Sequence, residues 1–139
     1  MKVRVVWVGR TRNPHTANLC EDYAARIKHF LPLEIAEVKE QKILSVLDTS
    51  DRVIVLDPEG KTWTSEQFAK FVGQHMTADP RRLTFIIGDY AGLPAALKKR
   101  ADLEWSLSPL TFTHELSRIL LLEQIYRALS IIHNFPYAK

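Results

Sequence analysis

Short β-branched runs alternate with helix-period segments five times along this chain, without a linker, repeat or low-complexity stretch. That alternation points to an α/β fold, a mostly parallel sheet with helices on both faces. Residues 1–139 suit a single domain, long enough to bury about two-thirds of its unfolded surface without disulfides or metal. Lys2 to Val8 carries the continuous run Val5-Val6-Trp7-Val8, which predicts a strand covered on both sides. Asn13-Pro14 is an N-cap with proline at the first helical position, and Cys20, Tyr23, Ala24 and Ile27 recur at helical spacing. The helix is expected to reach about Phe30, before Pro32. Leu33 to Val38 predicts a second strand and Gln41 to Leu47 a short helix.

Arg52 to Leu56 predicts a third strand, ended by the turn-like Asp57-Pro58-Glu59-Gly60. Thr64 and Gln67 form a capping-box pair, opening a helix with Phe68, Phe71 and Val72 on one face. Leu83 to Ile87 predicts a fourth strand, Ala95 to Arg100 a short helix, Glu104 to Leu107 a fifth strand, and Glu115 to Ile132 a long helix. Parallel sheets bind ligands at the loops leaving the carboxyl ends of their strands. Those loops follow Leu56, Ile87 and Leu107.

Several chemistries are excluded by spacing. Gly60-Lys61-Thr62 ends like a phosphate-binding loop, but the glycine required five positions earlier is Val55, inside a strand. The first strand is followed by Gly9 alone, so a dinucleotide fingerprint is missing, and no G-x-S-x-G occurs. His15, His29, His75, His114 and His133 show no metal-ligand pairing, so no metal is expected. Cys20 is the single cysteine, which precludes an internal disulfide and suits a reducing compartment. No window approaches the roughly 20 apolar residues of a membrane span. The richest apolar run, Ile119 to Leu122, lies between Arg118 and Glu123. A soluble, cytoplasmic protein without a membrane partner is expected. The net charge of +3 is compatible with a nucleic-acid partner without requiring one.

The last third is less ordinary. Gly88 and Gly92 flank a loop where a flat ligand could lie against the backbone, or where a turn merely packs. Trp105 to Thr113 runs nine residues without charge yet contains Pro109, fitting neither a long strand nor an exposed loop. It is either a connection under the core or a buried loop whose backbone groups meet an adenine edge, with Leu110 or Phe112 over its face. The Ile119 to Leu122 run points around its whole helix, so more than one face needs covering, by the sheet and by a second subunit. Arg118, one turn past His114, is open to a structural or a ligand-binding role. Glu123 and Arg127 are spaced to pair on one helix face. Arg10, Arg12, Lys98, Lys99 and Arg100 form a contact surface or a solvated face.

Ile86-Ile87-Gly88, Gly92-Leu93, Ser106-Leu107-Ser108, Leu110-Thr111-Phe112, His114 and the run Leu121 to Ala128 together resemble the RlmH family of SPOUT methyltransferases. The likeness extends to Val6–Gly9, the Leu56–Lys61 stretch and Pro136-Tyr137, covering nearly the whole chain. It implies a C-terminal trefoil knot on the α/β sheet, an exception to the rule against threaded chains. It also implies a homodimer that binds S-adenosylmethionine in the knot and methylates N3 of a pseudouridine in large-subunit ribosomal RNA, on the assembled ribosome. Carried over by position, the cofactor contacts would be Leu56, Gly88, Leu107, Ser108, Pro109, Leu110, Thr111 and Phe112. Direct displacement at the methyl needs alignment above all. Arg118, His133 and Tyr137 would orient the base or stabilise its N3 anion.

Three features depart from the family pattern. Asp89 stands where a second glycine is usual and is followed by Tyr90-Ala91; Ala138 follows Tyr137 where a histidine is usual; and the Val38–Arg52 stretch is short. A carboxylate at position 89 would either crowd the cofactor or meet its positive charge. The alternative to an enzyme is a non-catalytic homologue that dimerises and binds RNA or ribosomes.

Overall fold

Val3–Val8 forms β1, and its unbroken apolar run is explained by its place inside the sheet. The remaining elements are α1 (Pro14–Lys28), β2 (Leu33–Val38), two 3-10 turns (Glu40–Lys42 and Leu44–Val46) and β3 (Asp51–Thr62). They continue with α2 (Ser65–Ala78), β4 (Arg82–Ile87), α3 (Ala95–Arg100), β5 (Leu103–Ser106) and α4 (His114–Ile132). These come from a computed structural model, which describes residues 1–89 and 92–137. Tyr90, Ala91 and Ala138, three of the positions that depart from the family pattern, lie outside the described residues.

The five strands are parallel, in the order β2-β1-β4-β3-β5. Side chains alternate across a strand, so neighbours feed opposite layers. Val3, Val5 and Trp7 of β1, with Leu83, Phe85 and Ile87 of β4, face the layer built from α1, α2 and α4. Val6, Ile86, Val53 and Val55 face the other layer, against Ile43 and Leu97. Helices therefore cover both faces, as the strand pattern required. Asn13 caps α1 by accepting from the His15 backbone, and Thr64 and Gln67 complete the capping box of α2. The all-round apolarity of α4 is largely answered within the chain, because this helix packs between α1 and α2 and onto the sheet. Leu116 and Ile131 remain exposed on it.

Two elements differ from expectation. The Gln41–Leu47 helix is two 3-10 turns on either side of Ile43, the one residue of the segment buried deeply enough to act as an anchor. A segment with one apolar anchor has no face to hold a longer helix down. β3 does not stop at Leu56 but continues to Thr62 through a register shift between Leu56 and Lys61. Asp57 closes that irregularity by accepting from the Glu59 backbone at 3.0 Å. Gly60 is required there, since a Cβ would come within 2.6 Å of the Glu104 carbonyl carbon. The apparent turn is thus a bulge pressed against β5.

At the amino edge of the sheet, Asp51 is buried and collects Arg82 at 2.6 Å, Thr84 at 2.8 Å, the Asp48 backbone at 3.0 Å and Arg4 at 3.4 Å. Burial by itself would raise its pKa, but these bonds and the Arg4 charge hold it down at about 2. A folded-state pKa below the unfolded one stabilises above the unfolded value and loses that stabilisation as pH falls through the folded value. Urea titrations should therefore show stability draining between pH 3.8 and about 2. Asp51→Ala, which leaves Arg4 buried without its carboxylate, should cost about 3–5 kcal/mol at neutral pH. A loss below about 1 kcal/mol, the range of surface pairs, would contradict this reading.

Candidate functional site

Parallel strands bring their carboxyl ends to one edge, and there the chain encloses a cavity of about 530 Å³. That volume lies within the roughly 300–1,000 Å³ usual for small-molecule sites. One wall is the β3 bulge from Leu56 to Glu59, and another is Ile87-Gly88-Asp89 with Gly92 and Leu93. The connection from β5 to α4, together with His114 and Ser117, closes the remaining side. Ser106 and Ser108 shape that connection: the Ser106 hydroxyl donates to the Ser108 carbonyl at 2.9 Å, and Leu110 N donates to Ser108 Oγ at 3.0 Å. Trp105 and Ser106 are buried at its start, whereas Pro109, Leu110 and Thr111 are exposed at the rim.

Of the residues expected to contact a cofactor, Leu56, Gly88, Leu107, Ser108, Leu110, Thr111 and Phe112 line this one cavity. Pro109 belongs to the same loop but is not among the lining residues. The sequence reading missed Asp57, because a turn was expected where β3 bulges. Asp57 is almost buried in the wall, with Lys98 Nζ 3.7 Å from its carboxylate. Glu59 and Asp89 add two further carboxylates to the lining. Asp89 forms part of the wall and leaves the cavity open at its stated volume.

Arg118 lies behind His114 rather than in the lining, and is only 2% exposed. Its Nη2 donates to the Val8 carbonyl at 2.8 Å, and its Nη1 to Thr11 Oγ1 at 2.7 Å. The guanidinium also lies 4.8 Å over the Trp7 ring and 3.7 Å from Glu37. Its Nε and Nη2 reach His114 Nδ1 at 3.3 and 3.0 Å. A guanidinium can only donate, so Nδ1 must accept and the imidazole proton sits on Nε2. From there it donates to the Gly88 carbonyl at 2.6 Å. Burial, reinforced by the Arg118 charge, outweighs the Gly88 bond and lowers the His114 pKa.

His133 and Tyr137 are elsewhere. His133 caps the far end of α4, stacked on Phe30 at 4.9 Å and 11°. The Tyr137 hydroxyl donates to Glu123 at 2.9 Å and meets the Tyr23 hydroxyl at 3.1 Å. Glu123 also pairs with Arg127 at 2.7 Å, so the i,i+4 pair read from the sequence is anchored to the tail. Burial, with the Tyr23 and Glu123 bonds, pushes the Tyr137 phenol well up and keeps it neutral. The 19 residues of α4 put His133 about 28 Å from the cavity end of the helix, whereas the Tyr137 hydroxyl comes back to Glu123, about 14 Å from it. Among the described residues, no cluster of three or more His, Cys, Asp or Glu could hold a metal ion, and no helix is long and apolar enough to cross a membrane.

A family model described as "Predicted SPOUT methyltransferase" matches residues 1–138. A protein of Coprothermobacter proteolyticus named "Ribosomal RNA large subunit methyltransferase H" is 41% identical over 139 residues, covering 100% of both chains. Its namesake in Solibacter usitatus is 39% identical over 140 residues, again covering 100% of both. Among solved structures, a probable methylase family protein of Haemophilus influenzae Rd KW20 shares the fold, with TM-score 0.58 and 14% identity over 95% of this chain and 66% of that one. The methyltransferase AviRb of Streptomyces viridochromogenes, in complex with AdoMet, matches with TM-score 0.53 and 11% identity, over 89% of this chain and 56% of its own.

Replacing Arg118 with Met should leave the Val8 carbonyl, Thr11 and His114 Nδ1 without their donor and cost about 3 kcal/mol in urea denaturation. Arg118→Lys should recover only part of the loss, since an ammonium lacks the planar fork that reaches three partners at once. Full recovery by Lys would show that charge alone matters at this position.

Proposed function

The chain belongs to the SPOUT methyltransferase family, and from that premise we propose that it transfers a methyl group from S-adenosylmethionine to N3 of a pseudouridine in large-subunit ribosomal RNA. The observation that carries the proposal is the convergence of Leu56, Gly88 and the Leu107–Phe112 loop on one cavity. The relatives named as large-subunit ribosomal RNA methyltransferases match over their full length, which supports the same substrate class here.

The cavity suits this cofactor chemically. Leu56, Leu107 and Phe112 offer apolar surface to a purine, and the loop backbone offers groups for its polar edge. Asp57, Glu59 and Asp89 place carboxylates where a sulfonium and an amino group would be attracted. When bound, the cofactor supplies an electrophilic methyl, and the protein's task is to align it with the acceptor and exclude competing nucleophiles.

The acceptor side requires groups that favour loss of the N3 proton. In the proposed arrangement His133 and Tyr137 serve this end, while Arg118, buried behind His114 and bound to Val8, Thr11 and His114, acts on the cavity only through that ring. His133, about 28 Å along α4, cannot reach its own chain's cavity, and Tyr137 is held against Glu123, about 14 Å along the same helix. A homodimer with a two-fold axis would carry one copy's tail to the other's cavity, so the active unit is two chains. Held neutral, Tyr137 is not a base for the N3 proton, and it can donate to the pseudouridine only by releasing the bond that its single proton makes to Glu123. The return of the chain from β5 across the carboxyl edge into the α1–α2 layer supports the trefoil knot proposed with this reading.

Incubation with labelled S-adenosylmethionine and ribosomes lacking the modification should transfer label to the large-subunit RNA. Gly88→Val would place two methyls where even one Cβ comes 2.6 Å from Leu93, and should abolish both cofactor binding and transfer while the melting temperature changes little. Cofactor and RNA binding without transfer by the wild type would instead favour a non-catalytic homologue. Unchanged affinity in Gly88→Val would put the cofactor elsewhere.

A further inference from the structure

His114 lines the cavity, yet both of its ring nitrogens are committed to the protein. Nδ1 receives Arg118, and Nε2 holds the Gly88 carbonyl at 2.6 Å. Gly88 directly follows β4 and forms part of the cavity wall, so its main-chain position is fixed from behind by a side chain of α4. Arg118 in turn is bound to Val8, the last residue of β1, and to Thr11 in the loop that follows. The relay therefore refers the cavity wall to the neighbouring strand.

We propose that His114 is a positioning residue for the cofactor: Arg118 holds its ring as the Nε2–H tautomer, the ring fixes the Gly88 carbonyl, and that fixed wall sets how tightly S-adenosylmethionine binds. The proposal rests on the cofactor reading of this cavity. Nothing in it asks His114 to touch the substrate or to move a proton during transfer.

The arrangement carries a pH dependence. Protonating Nδ1 would set a donor against the Arg118 donors, beside a fixed cation and at the amino end of a helix, where positive charge is disfavoured. The groups facing the ring are Arg118 and Glu115 of α4 and Asp89 after β4, with Glu37 of β2 and the buried Cys20 of α1 next to Arg118. The two carboxylates nearest the ring favour its protonation, but burial and Arg118 prevail and the ring stays neutral into mildly acidic solution. The relay is thus intact at neutral pH and breaks as pH falls through a value below the ordinary imidazole range.

The test combines calorimetric titration of S-adenosylmethionine into the full-length protein with ring-nitrogen chemical shifts of His114, followed between about pH 8 and about pH 5. Wild-type affinity should fall over the same span in which the His114 ring titrates, and the neutral ring should carry its proton on Nε2. His114→Ala should bind at least about tenfold more weakly at neutral pH. His114→Gln keeps an amide donor for the Gly88 carbonyl without a titrating group, so it should retain most of the affinity and lose the pH dependence. Thermal melts in parallel identify any variant that fails to fold, and the Gln variant and the ring shifts then carry the test. A ring that titrates without changing affinity, an Nδ1–H tautomer, or wild-type affinity in His114→Ala would overturn the proposal. So would a Gln variant that follows the wild-type pH profile. Absence of cofactor binding by the wild type at every pH would overturn it as well, by removing the cofactor reading itself. Binding that is merely insensitive to His114 would leave that reading standing.

Discussion

Arg118 is a buried cation that makes four hydrogen bonds to three residues from separate parts of the chain: Val8 at the end of β1, Thr11 in the following loop, and His114 at the start of α4. A charge this deep is tolerated only when its donors are satisfied and counter-charge is near, and here Glu37 and the Trp7 face supply the remainder. Because α4 enters the α1–α2 layer immediately after crossing the carboxyl edge, that crossing has to be pinned somewhere. Arg118 and Glu115 pin it, the latter accepting from the Arg12 and Asn13 backbones at 2.8 and 3.2 Å. The cavity is the space left between this pinned crossing and the ends of β3 and β4.

The two edges of the sheet use charge for different ends. At the amino edge, Asp51 gathers Arg82 and Arg4 into a buried cluster. At the carboxyl edge, the carboxylates of Asp57, Glu59 and Asp89 line a cavity wall, with Lys98 3.7 Å from Asp57. This asymmetry follows from parallel pairing, which sends the connections that can form loops of varied shape to one side.

Much of this was legible beforehand because periodicity and caps act locally. Val5-Val6-Trp7-Val8 could only be an interior strand, and Asn13-Pro14 and Thr64…Gln67 marked helix starts that depend on a few residues each. The cavity-lining loop was legible as an uncharged stretch containing proline, but the expectation that it avoids solvent holds only at its start: Trp105 and Ser106 are buried, whereas Pro109, Leu110 and Thr111 are exposed. Less visible were features settled by distant contacts. The bulge in β3 depends on the Glu104 backbone passing Gly60, and the sequence at 57–60 carries only the signature of a turn. His114 was conspicuous through its spacing to Arg118, but its tie to Gly88 spans 26 residues and leaves no periodic trace. The tail residues His133 and Tyr137 were expected at the site, and the place of the first at the far end of α4, and of the second against Glu123 midway along it, became apparent only with the course of the helix and tail.

A crystal structure of the protein with S-adenosylmethionine bound tests the account most directly. It predicts the purine held between Gly88 and the Leu107–Phe112 loop, His114 still bonded to both Arg118 and Gly88, and a second chain's Tyr137 at the mouth of the cavity. A cofactor bound away from Gly88, or a cavity completed by no second chain, would contradict it.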